Sequence, residues 1–198
     1  MDKKELSEQI ANAFDFIQKL YNESAYLIKE IEGQLVENEF NFQILKTSGY
    51  SVSTRSSTGL ETNNVQLWLM RKLAVAFAED RYTNVQKGQN VTEINDDLKV
   101  LYFRIILNDS VGNEPELLFG VFYNVAKYKD WIKKFENLIG QFEYVDNKLF
   151  AQFPSVNYQD GTFSIKGKFK KVKLLDINSS DELKQKVLEP AIELYKKV

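Results

Sequence analysis

The sequence predicts one α+β domain spanning 1–198, a mainly antiparallel sheet of about six strands flanked by helices, with a long helix at each end. Three observations carry that expectation. Apolar residues recur at helical spacing over 6–35. Between 40 and 177 they alternate or run on in strand-length blocks, and after 179 the helical spacing returns. No repeat, low-complexity tract or linker divides the 198 residues, a length that lets one domain bury roughly 70% of its unfolded surface.

The first element is a long amphipathic helix within 1–38. One stripe runs Leu6, Ile10, Ala13, Ile17, Leu20, Leu27, Ile31 and a second runs Phe14, Tyr21, Ile28, Leu35. Asp2 with Glu5 three residues later gives a start signal, and Gly33 sits near the stop. Some 30 residues make a rod of roughly 45 Å, longer than one small domain is wide. The helix therefore either bends near 22–24 or packs its exposed end on another chain, and a homodimer through this helix is the partner the length suggests.

FNFQILK (40–46) and GYSVSTRSS (49–57) read as two strands joined by a short hairpin. Thr58 and Glu61 have capping-box spacing, which opens a helix to about residue 79, apolar nearly all round and hence sandwiched. The polar stretch 81–97 reads as a loop, with room for a short strand around 91–94. DLKVLYFRIILND (97–109) and ELLFGVFYNVA (116–126) are apolar on both faces, the pattern of central strands, most simply antiparallel. A helix over 128–142 follows, with Trp131, Phe135, Leu138 and Ile139 on one side.

KLFAQF (148–153) reads as a strand, 154–161 as a loop and 162–177 as a strand. A β-bulge at Lys170–Lys171 would bring all the lysines of that last strand to one side. Ser179 and Glu182 cap the C-terminal helix, 179–198, and Pro190 predicts a kink or break near Leu188. The order of elements resembles sensor folds of the PAS and GAF type, whose sheets hold small ligands; no motif accompanies that likeness.

Composition narrows the chemistry. With no cysteine there are no disulfides, thiolate metal sites or thiol catalysis, and with no histidine the usual general base near neutral pH is missing. The charged start, MDKKELSEQI, lacks the apolar core of a secretion signal, and the longest near-apolar run, 65–78, carries Arg71 and Lys72. A cytoplasmic chain without a membrane span is expected. Net charge is −2, which argues against a general nucleic-acid binder, yet residues 1–40 carry −5 and residues 161–198 carry +4. Either the two ends face each other, or the second forms a local basic surface.

Four constellations are candidates for function. Ser51, Ser53, Arg55 and Ser57 would line one strand face beside a helix start, donors suited to a small anionic ligand, or else a solvated strand face. Lys166, Lys168, Lys170, Lys171 and Lys173 would either track a nucleic-acid backbone or protect a sheet edge. Arg104, a charge inside an apolar strand, must reach an acid or line a cavity, and Glu93, Asp96 and Asp97 are the acids near it in sequence. The acids Glu93, Asp96, Asp97, Asp109, Glu114 and Glu116 fail the carboxylate-and-lysine pattern of metal-dependent nucleases, because no lysine follows Glu116 by two.

The expected function is binding without catalysis, through an anion pocket at Ser51, Ser53, Arg55, Ser57 and Arg104 or through oligomer contacts. No cofactor, metal or catalytic residue is assigned. A nucleic-acid accessory protein using the lysines is the alternative, and a metal- or carboxylate-dependent enzyme the third reading.

Overall fold

A computed structural model of the chain describes residues 2–45, 51–52, 72–86, 89–107 and 114–198. Helix α1 (Lys3–Val36) leads into β1 (Phe42–Ile44), β2 (Ser51–Val52), β3 (Lys72–Glu79) and a small ribbon of β4 (Thr83–Gln86) and β5 (Gln89–Thr92). Then come β6 (Val100–Ile106), β7 (Glu116–Lys127), α2 (Phe135–Leu149), β8 (Ser155–Gln159) and β9 (Phe163–Lys173). The C-terminal helix runs as α3 (Ser180–Leu183), a π-helical turn (Lys184–Leu188) and α4 (Glu189–Lys196). The main sheet is antiparallel throughout, in the order β1-β3-β6-β7-β9-β8, with β2 sharing the β1 side of β3. The predicted α+β class holds.

The sheet separates two cores. On one face α2 covers an aromatic cluster built on Tyr102, Phe122, Phe142 and Phe169, with Phe122 4.8 Å from Phe169 and 5.1 Å from Phe142 between ring centroids. On the other, the last third of α1 (Ile28, Ile31, Leu35) and the C-terminal helix (Leu183, Val187, Ala191, Tyr195) cover β1, β3, β6 and β7. Strands β3, β6 and β7 are therefore buried on both sides, which explains their near-continuous apolar sequences.

Several sequence expectations are corrected. The helix over 58–79 is not helical in its described part: 72–79 is β3, and 58–71 lies outside the described residues. Leu73, Val75 and Phe77 join the core under α1, and Ala74, Ala76 and Ala78 join the core under α2. With both alternating sets apolar, no helix–strand contrast remains to be read. Strands β1 and β2 each pair with β3 rather than with one another, and the presumed loop 81–97 contains the β4–β5 ribbon.

The third predicted helix begins at Phe135, seven residues later than its predicted start, and takes in Lys148 and Leu149 of the strand predicted at 148–153; Trp131 is left half exposed. The strand instead is SVNYQ, whose Val156 and Tyr158 point inward while Ser155, Asn157 and Gln159 face solvent. Asp160 closes the β8–β9 turn by accepting hydrogen bonds from the Tyr158 hydroxyl and from the Thr162 and Phe163 N–H groups at 2.6–3.0 Å. Helix α1 does not bend at 22–24 but continues unbroken for 34 residues, roughly 51 Å. At Pro190 the C-terminal helix does not stop. The π turn just before it accommodates the missing N–H, and the proline takes a first-turn position in α4.

The aromatic core depends on two glycines. A Cβ on Gly120 would lie 2.1 Å from the Lys168 carbonyl oxygen and 2.7 Å from the Phe169 ring. One on Gly167 would lie 2.6 Å from that same ring. Gly120→Ala should therefore cost about 1–3 kcal/mol or more, since backbone must move. Urea unfolding checks this, and Gly140→Ala, where nothing lies within 4 Å, is the matched control expected to be neutral or stabilising.

Candidate functional surfaces

Arg104 lies on β6, buried, one strand from Ala74 and two from Ser51 in a single cross-strand row. Its guanidinium meets Asp146 of α2 in a two-pronged contact, Nη1 to Oδ1 and Nη2 to Oδ2 at 2.8 Å. Lys72 Nζ reaches the same Oδ2 at 3.0 Å, and the Phe150 ring lies 5.5 Å from the guanidinium carbon. Of the two roles open to Arg104, the ion pair is observed. Its partner is Asp146, not Glu93, Asp96 or Asp97. Ser51 is described only as backbone, in β2, and Ser53, Arg55 and Ser57 lie outside the described residues.

Burial pushes the Asp146 carboxyl up, but the Arg104 hydrogen bonds and charge, helped by Lys72, outweigh it and hold Asp146 below the usual aspartate value. A carboxyl lowered on folding contributes stability above its unfolded pKa, and that contribution is lost as pH falls through the folded value. Asp146→Asn should cost about 3 kcal/mol at pH 7, because it removes the carboxylate that both prongs of a buried guanidinium meet. The gap between variant and parent should narrow toward pH 3; urea titrations at the two pH values test both statements.

A second buried polar contact ties the chain's end to the sheet. The Tyr195 hydroxyl donates to Glu79 Oε1 at 2.5 Å, and Arg81 Nε sits 2.5 Å from Oε2. Burial, then the Glu79 carboxylate, pushes the Tyr195 hydroxyl far above its ordinary pKa, so it stays a donor. These groups hold α4 on β3.

The lysines divide. The β7–β9 register is continuous across Lys170–Lys171 and slips instead between Tyr123 and Ala126, so no bulge gathers them. Lys166, Lys168 and Lys170 are exposed and alternate with the buried Phe163, Ile165 and Phe169, on the sheet face opposite the aromatic core. Lys171 and Lys173 pair with Glu116 and Glu114 at 2.9 and 2.7 Å. Nor is β9 an edge strand, for β8 lies outside it. Of the candidate acids, Asp109 lies outside the described residues; among those described, no three acids gather in a metal-sized cluster. Among the described residues the opposed end charges meet at Glu39–Lys196 (2.6 Å), and the Ser180 hydroxyl donates to Glu30.

What the sequence reading placed least sharply is most conspicuous in the structure. Residues 2–16 are exposed at every position, and the buried residues of α1 are Ser24, Ile28, Ile31 and Leu35. Phe14 and Phe16 are 69% and 68% exposed, with Leu6 and Ile10 about half exposed. Where α1 joins the body, a groove of about 530 Å³ opens between it and the 174–183 connection, lined by Leu20, Leu27, Leu175, Ile177 and the acids Glu23 and Glu30. Among the described residues no helix is long and apolar enough to cross a membrane. Searches against protein-family models, curated proteins and solved structures found no match for this chain.

Proposed function

We propose that this protein acts by binding, and that its working element is the projecting half of α1. The observation that carries the reading is the exposed apolar face of Leu6 and Ile10, flanked on its two sides by exposed Phe14 and Phe16, on a helix packed into the body at its other end. An isolated helix of this length is marginal in water, and aromatic side chains left in solvent forgo the burial that would stabilise it. A partner covering the face supplies that burial. Arg104, the residue that would have anchored a ligand in the sheet, is engaged by Asp146.

Amide hydrogen exchange on the full-length protein tests the reading directly. Residues 5–18 should be protected well beyond an isolated peptide of the same sequence. Phe14→Glu with Phe16→Glu should remove that protection and leave the exchange of β3, β6 and β7 unchanged. Exchange of 5–18 as fast as in the free peptide would sink the reading.

The exposed lysines of β9 support a second reading, as a nucleic-acid accessory protein. Lys166, Lys168 and Lys170 are exposed at alternate positions, make no ion pair among the described residues, and stand beside Asn157 and Ser155 of β8 in the strand register. If they neutralise phosphates, single-stranded DNA binding should weaken with a salt slope of about −0.7 per phosphate contacted. Replacing all three with Gln should abolish it. No binding at low salt removes this reading.

A further inference from the structure

We infer that the projecting half of α1 is covered by the same segment of a second copy, running antiparallel about a twofold axis near Ala11 and Asn12. The inference rests on α1 being the binding element, and adds the partner, its direction and its register.

Direction follows from which face of the helix is used. Leu6, Ile10, Ala13 and Ile17 continue, at spacings of three and four, the face that carries Ser24, Ile28, Ile31 and Leu35. The second set is buried against the protein's own body. In a parallel pair joined through this face, both bodies would have to fit between helix axes only about 8–10 Å apart. That is impossible. In an antiparallel pair each body lies beyond the other helix's first turn, so the same face is open along its whole free length.

Length agrees with that arrangement. The free segment runs from Lys3 to about Leu20, and an axis at its midpoint, 11–12, overlaps it with its copy completely, ending where the body begins. Leu6 then falls opposite Ile17 of the second copy and Ile10 opposite Ala13, each contact made twice. By helical spacing Lys4, Glu8, Asp15 and Lys19 fall on the side of the helix away from that seam.

The first turn of the second copy arrives at the mouth of the groove lined by Leu20, Glu23, Leu27, Glu30, Leu175 and Ile177, whose acids lie toward Lys3. Four phenylalanines, two per copy and each about two-thirds exposed, bring roughly 400–700 Å² to the contact. With Leu6, Ile10, Ala13 and Ile17 of both chains, the total approaches the ~1,200 Å² of a stable interface.

The absence of cysteine makes a clean test possible. Disulfides form only when Cα atoms come within about 4.4–6.8 Å. An equimolar mixture of Ile10→Cys and Ala13→Cys, which face each other beside the axis, should cross-link under mild oxidation. Leu6→Cys alone should not, because its copy lies about 16 Å away along the helix, whereas an equimolar mixture of Leu6→Cys and Ile17→Cys should give the mixed dimer. Light scattering of the parent should report twice the chain mass. A monomeric mass at all concentrations, or Leu6→Cys cross-linking to itself as readily as the Ile10→Cys and Ala13→Cys mixture, overturns the inference. Exchange protection of 5–18 in a monomeric protein would overturn the antiparallel pair and leave the binding role of α1 standing, so the two failures are distinguishable.

Discussion

The rest of the structure depends on β3, β6 and β7 being covered on both faces. Once three neighbouring strands have no solvent side, each face needs its own helical layer, and the chain supplies α2 to one and α1 with the C-terminal helix to the other. Backbone groups in the middle are satisfied by the ladder, and side chains must be apolar or matched. Arg104 and Glu79 are buried charges that test the rule. Arg104 survives inside the sheet because Asp146 meets it with two contacts and α2 holds Asp146 in place.

How much of this could be read from the sequence depended on contrast. The pairing of β6 with β7 was legible, because two strand-length apolar runs flank a turn-rich connection. The start of α1 at Asp2 and the Ser179 cap were legible from local hydrogen-bonding chemistry. Strand β3 was not, since alanines on one face and larger apolar residues on the other erase the alternation, and alanine favours helix. Strand β8 was hidden by its turn-like composition. Its two inward residues, Val156 and Tyr158, were the only signal, and five residues are a short window.

The same boundary problem explains Arg104. Its oddness was plain, and so was its need for an acid, but the partner lies 42 residues away. A helix drawn from 128 to 142 stops short of Asp146. Drawn from 135 to 149, it brings that acid over the sheet. Errors of a few residues in an element can therefore conceal a contact between elements. The anion pocket predicted around this arginine is untested, since Ser53, Arg55 and Ser57 lie outside the described residues.

Helix α1 shows one pattern serving two ends. Its apolar face keeps the same heptad-like spacing from Leu6 to Leu35, yet only the last third meets the sheet. Had the projecting half evolved merely as a solvated spacer, nothing would hold Ile10, Phe14 and Ile17 in that spacing, and polar residues would cost less in solubility. A helix anchored at one end also presents its free face in a fixed direction, which reduces the entropy lost when that face is covered. The body thus does two things for α1. It fixes the helix's orientation, and by occupying the far end of the same face it dictates from which direction another helix can approach.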